Sequence, residues 1–403
     1  MVDALYVHVP FCAARCRYCD FSTAATRRDD PLMAAYAGAV ECLLDEARGL
    51  GLIEVPRTAY IGGGTPTLLG PAVLGSLVGA ITGAGAVPEL SIEANPESLS
   101  DAVLDAALKA GATRVSVGVQ SLDDRELAAL GRIHGAEQAR ARVSAAVAAG
   151  LDVSLDLMCG IPYQTPASWR RSLEGALELG IGHISCYPLM IEEGTPLERL
   201  CERGELPWPD DDTEAASMDA AARLLAGRGF ARYEVASYAR PGRECRHNMA
   251  YWTGVEYLGL GTAASSMLGR GSYAALREAV PALPEPREDA ARFRLTVASS
   301  AREVADARGL AHIAFEVEQL TAREAAAEDL MLAMRMTAGA DAALIERASA
   351  SIPRPALDAA LSHAVERGLA AWTPDGARLA PTGRGWIIGN ELYGLMWDLA
   401  SDT

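Results

Sequence analysis

From residue 4 to residue 187 the chain alternates short apolar runs with helical patterns, and that alternation limits the possible folds. Ala4–Val9, Thr58–Ile61, Leu90–Ala94, Arg114–Val119, Asp152–Met158 and His183–Tyr187 read as strands. Between them lie helix candidates over Pro31–Leu50, Pro71–Ile81, Ser100 (as an N-cap) to Ala110, Ala136–Ala149 and Pro166–Leu179. Each helix pattern runs out near a glycine (Gly51, Gly83, Gly111, Gly150, Gly180), the residue best suited to a left-handed C-cap. Strands joined by helical crossovers must pair in parallel and wrap right-handedly. That leaves an open doubly wound sheet or a barrel.

Polar residues decide between the two. They collect just after strand ends, at Gly62–Thr65, Glu93, Gln120, Asp156 and Tyr187. A barrel gathers those ends around one mouth, where its chemistry is built. The expected class is therefore α/β, a partial (β/α)6 barrel.

The first strand is closed by Pro10 and runs into Cys12, Cys16 and Cys19, spaced C-x3-C-x2-C on a loop. Three thiolates this close can address one centre. A structural zinc site closes its shell with four ligands, and His8 is the nearest fourth donor. A cubane iron–sulfur cluster held by three cysteines leaves one iron open to a small molecule. Inert buried thiols are the third reading, an odd use of a polar loop.

The string Y-V-H-V-P-F-C…C-x-Y-C-D-F (Tyr6–Phe21) resembles the radical S-adenosylmethionine (SAM) superfamily. Within it, the string is similar to the branch holding oxygen-independent coproporphyrinogen III dehydrogenase and its heme-chaperone relatives. That resemblance implies a [4Fe–4S] cluster on Cys12, Cys16 and Cys19, with SAM chelating the open iron and being cleaved to a 5′-deoxyadenosyl radical. It implies SAM contacts at Tyr6, Tyr18, Gly63, Gly64, Thr65, Glu93, Gln120, Arg132 and Asp156. The dehydrogenase carries a further cysteine two residues after the third ligand. Phe21 stands there, which places the match on the chaperone side. His134 and His183 read as structural.

A second motif lies at His247–Trp252, H-N-x2-Y-W. A neutral imidazole is a natural axial ligand for heme iron, with Tyr251 and Trp252 available to lie on a porphyrin face. A buried turn with a satisfied histidine fits the residues equally. The motif is similar to one linked to heme in the chaperone family, which implies a heme contact at His247. Gly259 and Gly261 are candidates for a loop closing over the pocket.

Arg277 to Ala290 reads as a surface connection. Helix patterns at Arg323–Arg335, Ala340–Ala348 and Pro355–Arg367 precede a hairpin turning at Asp375–Gly376. Helices followed by a hairpin suggest a winged-helix-like α+β domain. Its recognition-helix candidate, Leu357–Arg367, holds one arginine against two acids, which argues against DNA. The expected division is 1–232 for the barrel, 233–276 for the H-N-x2-Y-W extension and 277–403 for the last domain.

Composition narrows the function class. Of 403 residues half are hydrophobic and 22% charged, enough for a well-filled core, and the net charge of −17 argues against a nucleic-acid or anionic-membrane surface. Lys109 is the only lysine. No apolar run approaches a membrane span, and the chain enters a strand without room for a signal peptide. Eight unpaired cysteines then point to a reducing cytoplasm, with Cys42, Cys159, Cys186 and Cys201 expected as buried packing residues. The reading is a cytoplasmic heme chaperone that carries a [4Fe–4S] cluster and SAM, draws on a reductant and passes heme to an acceptor protein. The alternative is radical oxidative decarboxylation of coproporphyrinogen propionates.

Overall fold

The structure is a computed structural model and describes residues 2–401. The six expected strands are present: β1 (Ala4–Val9), β2 (Thr58–Gly63), β3 (Glu89–Ala94), β4 (Arg114–Gln120), β5 (Asp152–Cys159) and β6 (His183–Pro188). They pair side by side, all in parallel. The crossovers are α1 (Pro31–Gly49), α2 (Gly70–Thr82), α3 (Asp101–Ala110), α4 (Asp124–Leu130), α5 (Ala136–Ala148) and α6 (Pro166–Leu177). Ser100 caps α3 as expected, its hydroxyl accepting from the Val103 amide. Helix α4 escaped the sequence reading, although Asp123 caps its start and left-handed Gly131 ends it. Gly83 departs from the C-cap expectation: its φ of −61° is right-handed, and that helix ends without a left-handed residue.

The sheet continues past both ends of this series. After α7 (Pro196–Glu202) and α8 (Asp211–Ala226) come β7 (Ala231–Arg232) and β8 (Ser237–Ala239), antiparallel beyond β6. After α9 (Arg246–Trp252), β9 (Tyr257–Leu260) pairs in parallel with the other side of β1. β10 (Ser265–Gly269), β11 (Ala290–Val297) and β12 (Phe315–Thr321) follow as antiparallel strands. The order is β12-β11-β10-β9-β1-β2-β3-β4-β5-β6-β8-β7, a curved sheet with two free edges. Gly259 thus lies within β9, a strand paired on both sides, and Gly261 directly follows it, rather than forming a closing loop. A side chain on Gly259 would strike the Ser265 carbonyl at 2.1 Å. Arg277 is likewise within a helix, Arg270–Ala279, and the irregular connection begins after it.

One face of the sheet is an apolar layer. Ile61, Leu90, Ile92, Val117, Leu155 and Ile184 are all buried there against the helices. A second apolar core begins at Ala327. Around it lie helix Ala322–Ala333, helices Ala342–Ser349 and Arg354–Glu366, and a hairpin of Ala370–Trp372 with Arg378–Pro381. The helix-then-hairpin order matches the sequence reading. β11 and β12, expected within the last domain, are instead hydrogen-bonded into the main sheet. Arg292 on β11 joins the two parts through Glu328 and both oxygens of Asp329. Among the described residues no helix is long and apolar enough to cross a membrane. Of the cysteines expected in the core, Cys159, Cys186 and Cys201 are buried. Cys42 is exposed, on the outer side of α1, so that expectation fails for one of the four.

Candidate radical SAM site

The inner face of the sheet is the reverse of its outer layer. Residues projecting inward from alternate positions are Ser91 and Glu93 on β3, Arg114 and Ser116 on β4, Ser154 and Asp156 on β5, and His183, Ser185 and Tyr187 on β6. All of them line one cavity of about 360 Å³. Parallel barrels ordinarily fill this space with branched apolar side chains. Here the same period-two positions carry hydroxyls, carboxyls and a guanidinium, a signal present in the sequence that the reading of strand ends passed over.

The three cysteines stand at the cavity's mouth. Cys12 ends a two-residue strand, Phe11–Cys12, which pairs with Ala24–Ala25. Cys16 and Cys19 follow on the loop, the Cys19 amide donating to the Cys16 carbonyl. Partial burial raises the Cys12 and Cys19 thiols above the ordinary range. His8 is no fourth ligand: its Nε2 faces the Ser22 carbonyl at 3.1 Å and its Nδ1 the Tyr6 hydroxyl at 3.1 Å. Among the described residues no three His, Cys, Asp or Glu side chains converge on one ion position. A cubane does not ask for that, because it distributes its thiolates over three irons.

A chain of hydrogen bonds braces two of the cysteines. Thr65 Oγ1 donates to Cys12 Sγ at 3.5 Å and accepts from Asn95 Nδ2 at 2.9 Å. Asn95 Oδ1 accepts from Arg132 Nη2 at 2.7 Å, while Arg132 Nη1 reaches Cys16 Sγ at 3.4 Å. Thiols that receive donors from threonine and arginine suit thiolates ligating a cluster. Asn95 holds the centre of this chain and was not singled out in the sequence.

The expected SAM contacts divide in two. Tyr18, Gly63, Gly64, Glu93, Gln120, Arg132 and Asp156 line the cavity with the cysteines. Tyr6 and Thr65 do not. Tyr6 packs behind the wall on Tyr60 and His8, and Thr65 is buried behind Cys12. The glycine motif has a further role in the protein's own packing. Its amides are occupied: Gly63 N donates to Glu93 Oε2, Gly64 N to the Val9 carbonyl and Thr65 N to the Phe11 carbonyl. The absence of Cβ serves close packing, since a side chain on Gly63 would meet the His8 ring at 2.5 Å and one on Gly64 the Phe11 carbonyl at 2.7 Å. The loop thereby anchors the segment that carries the cysteines.

Two carboxyls hang into the cavity. Glu93 accepts from Tyr60 Oη and the Gly63 amide, both at 2.9 Å, and burial pushes its pKa up to about 7 against the pull of those bonds. Burial lifts Asp156 to about 6, opposed by hydrogen bonds from Ser185 and Ser116. A cationic ligand group would draw both protons off. Gln120 holds a left-handed backbone (φ 67°) at a bulge between β4 and β5, and its Oε1 accepts from Tyr187 Oη at 2.9 Å. Such strain in a non-glycine residue is typical of a functional position.

His134 and His183 are both held by the protein's own groups, and His183 also lines the cavity. His134 Nε2 faces the Val119 carbonyl, and His183 bridges Ser154 and Tyr233.

The H-N-x2-Y-W motif forms helix α9, against the inner end of the sheet. Glu89 caps it, its oxygens accepting from the amides of Arg246 and His247 at 3.0 and 2.9 Å. His247 is 1% exposed, with Nδ1 on Thr58 Oγ1 at 3.0 Å and its ring stacked on Tyr60. Its Nε2 is buried without a partner, and burial lowers its pKa to about 3, which keeps the ring neutral. Cys245 and Asn248 reach the cavity wall; His247 does not.

The Radical SAM superfamily matches residues 6–175. Heme chaperone HemW of Mycobacterium tuberculosis strain H37Rv is 40% identical over 277 residues, 66% of this chain and 69% of that protein. HemW of Escherichia coli K12 is 38% identical over 273 residues, 65% of this chain and 69% of its own. A bovine mitochondrial protein, radical S-adenosyl methionine domain-containing protein 1, is 39% identical over 269 residues and is covered to 60%. Among solved structures, coproporphyrinogen III oxidase (HemN) of Escherichia coli superposes with a TM-score of 0.76, covering 98% of this chain and 90% of the other. Its 21% identity bears on the fold alone. The chain belongs to the radical SAM superfamily and, within it, to the family of the HemW proteins.

Proposed function

We propose that this protein is a heme chaperone that binds heme, a [4Fe–4S] cluster and SAM and delivers heme to an acceptor protein. Three cysteines at the mouth of a polar cavity, two of them braced by Thr65 and Arg132, with the His247 helix against its inner end, carry the reading, and the HemW relatives support it. Cys12, Cys16 and Cys19 hold the cluster in this reading, and Glu93, Asp156, Gln120, Tyr18 and Arg132 receive SAM with the Gly63–Gly64 backbone. When bound, the cluster supplies an electron for cleavage of the sulfonium bond of SAM. Ionised Glu93 and Asp156 offer the cationic ligand two buried counter-charges, and Tyr187 fixes Gln120. Tyr6 and Thr65 act from behind the wall as positioning residues.

Heme is the cargo. The unpartnered Nε2 of neutral His247 is the atom fitted to ligate its iron, and ligation requires the ring to leave its place between Tyr60 and Tyr251. A cytoplasmic setting, a reductant for the cluster and an acceptor for heme complete the proposal.

The test uses anaerobically reconstituted protein titrated with heme, then mixed with an apo-hemoprotein. The expected result is heme transfer, with His247→Ala weakening heme binding about tenfold and altering its absorption spectrum. An unchanged spectrum removes His247 from the assignment. Protoporphyrinogen formed from coproporphyrinogen by the same sample, once supplied with SAM and a reductant, would replace the chaperone reading with the dehydrogenase.

A further inference from the structure

The inner end of the cavity holds a guanidinium that acts on Asp156 from a distance but has no counter-charge in contact. Arg114 is 3% exposed and lines the cavity. Its Nη1 donates to the Arg243 carbonyl at 3.0 Å, and its Nη2 is buried with no partner. Among the described residues no carboxylate lies within ion-pair distance of it. The nearby Glu89 is already engaged, with Oε2 on the Arg246 amide and Oε1 shared between the His247 amide and the Cys245 thiol. Ser91 is the direct strand partner of Arg114, lines the same cavity, and its Oγ is also buried without a partner. A buried guanidinium nitrogen with no partner is costly, and so is a buried hydroxyl with nothing to bond. Two such groups on neighbouring strands facing one space describe a binding site.

We infer that Arg114 and Ser91 form a subsite for a single carboxylate on the floor of the barrel cavity, apart from the SAM contacts at the mouth. One carboxylate oxygen takes the free Nη2 hydrogen and the other the Ser91 hydroxyl, a charge-assisted pair. A phosphate fits poorly, because one guanidinium with one nitrogen already committed cannot balance a dianion in a cavity that also holds Glu93 and Asp156. The ligand enters past the cysteines and reaches down with a carboxylate arm. A propionate of a tetrapyrrole has that form, and so does a free small carboxylate. Identifying the occupant as a tetrapyrrole rests on the heme reading above; the carboxylate subsite does not.

The experiment has two arms on the full ligand-free chain. In the first, sodium propionate is titrated against the thermal midpoint of the wild type, Arg114→Gln, Arg114→Lys and Ser91→Ala, with sodium chloride as the ionic-strength control. The expected result is a saturable rise in the wild type, a partial one in Arg114→Lys and Ser91→Ala, and none in Arg114→Gln. In the second, heme and heme dimethyl ester are titrated by absorbance. Heme is expected to bind about tenfold more tightly than its ester in the wild type, and equally in Arg114→Gln. Acid and ester binding alike, with propionate still stabilising only the wild type, assigns the subsite to a free carboxylate. No heme binding at all overturns the heme reading and leaves the propionate arm to decide the subsite. A propionate effect no larger than that of chloride, or one that survives in Arg114→Gln, overturns the inference. Should Arg114→Gln fail to fold, the response of Ser91→Ala decides it.

Discussion

The two faces of the main sheet obey different rules. Toward the helices, Leu155, Ile184 and Val117 are fully buried in one continuous apolar cluster, as close-packed interiors require. Toward the cavity, the intervening residues Ser154, Asp156 and Ser116 leave space and polarity, and Ser91 and Arg114 leave polar atoms with no partner. Each strand thus serves stability with one set of alternate residues and ligand binding with the other. Stability and ligand capacity are therefore separable by the direction a side chain points.

The sharpest test of that separation is at the mouth. Cys16→Ala is expected to abolish the cluster's visible absorption and bound iron after anaerobic reconstitution, while the melting temperature of the ligand-free protein hardly moves. An intact cluster signal would break the assignment of the cysteine loop. The converse change, Leu155→Ala on the helix-facing side, is expected to cost about 4 kcal/mol in denaturant unfolding, from lost burial plus the cavity left behind. Its iron content per folded molecule should match the wild type; loss of both would mean that the faces are coupled.

The smallest effect concerns Glu93. Its pKa of about 7 in the folded protein lies above the ordinary 4.5, so the folded state holds its proton more tightly than the unfolded chain. Its contribution is fully present below the unfolded value and is lost as pH rises through the folded one, by up to about 3 kcal/mol. Glu93→Gln carries no titrating group there. Measured without ligand, the stability difference should move in favour of the variant between pH 5 and pH 8. A difference that stays flat with pH would mean that Glu93 is already ionised in the folded state.

Much of this architecture is legible in the sequence, because parallel strands buried on their helix side and helices ended by glycines leave strong local signals. The six strands, the Ser100 cap and the late hairpin follow from such signals. β9 to β12 do not: β9 pairs with β1, more than two hundred residues earlier, and β10, β11 and β12 join the sheet only through it, each on the strand before. The cysteine loop and the mouth residues were readable by motif. Asn95 was not, because its importance lies in joining Thr65 to Arg132, three residues from three separate crossover units. Cys42 misled because an exposed cysteine and a buried one look alike on a helix whose faces are both rich in alanine. The glycine motif keeps Gly63 and Gly64 in the cavity wall, but its amides are committed within the protein, Gly63 to the Glu93 carboxylate and Gly64 and Thr65 to backbone carbonyls. Arg114 and Ser91 were visible as polar residues in strands, and only the three-dimensional surroundings reveal that they lack partners.

The guanidinium of Arg114 has one further consequence. It is a rigid plate, and one corner already grips the Arg243 carbonyl, two residues before the cysteine at which α9 begins. A plate cannot tilt at one corner alone. An anion bound at the free corner would therefore sit one guanidinium away from the segment that leads into the His247 helix.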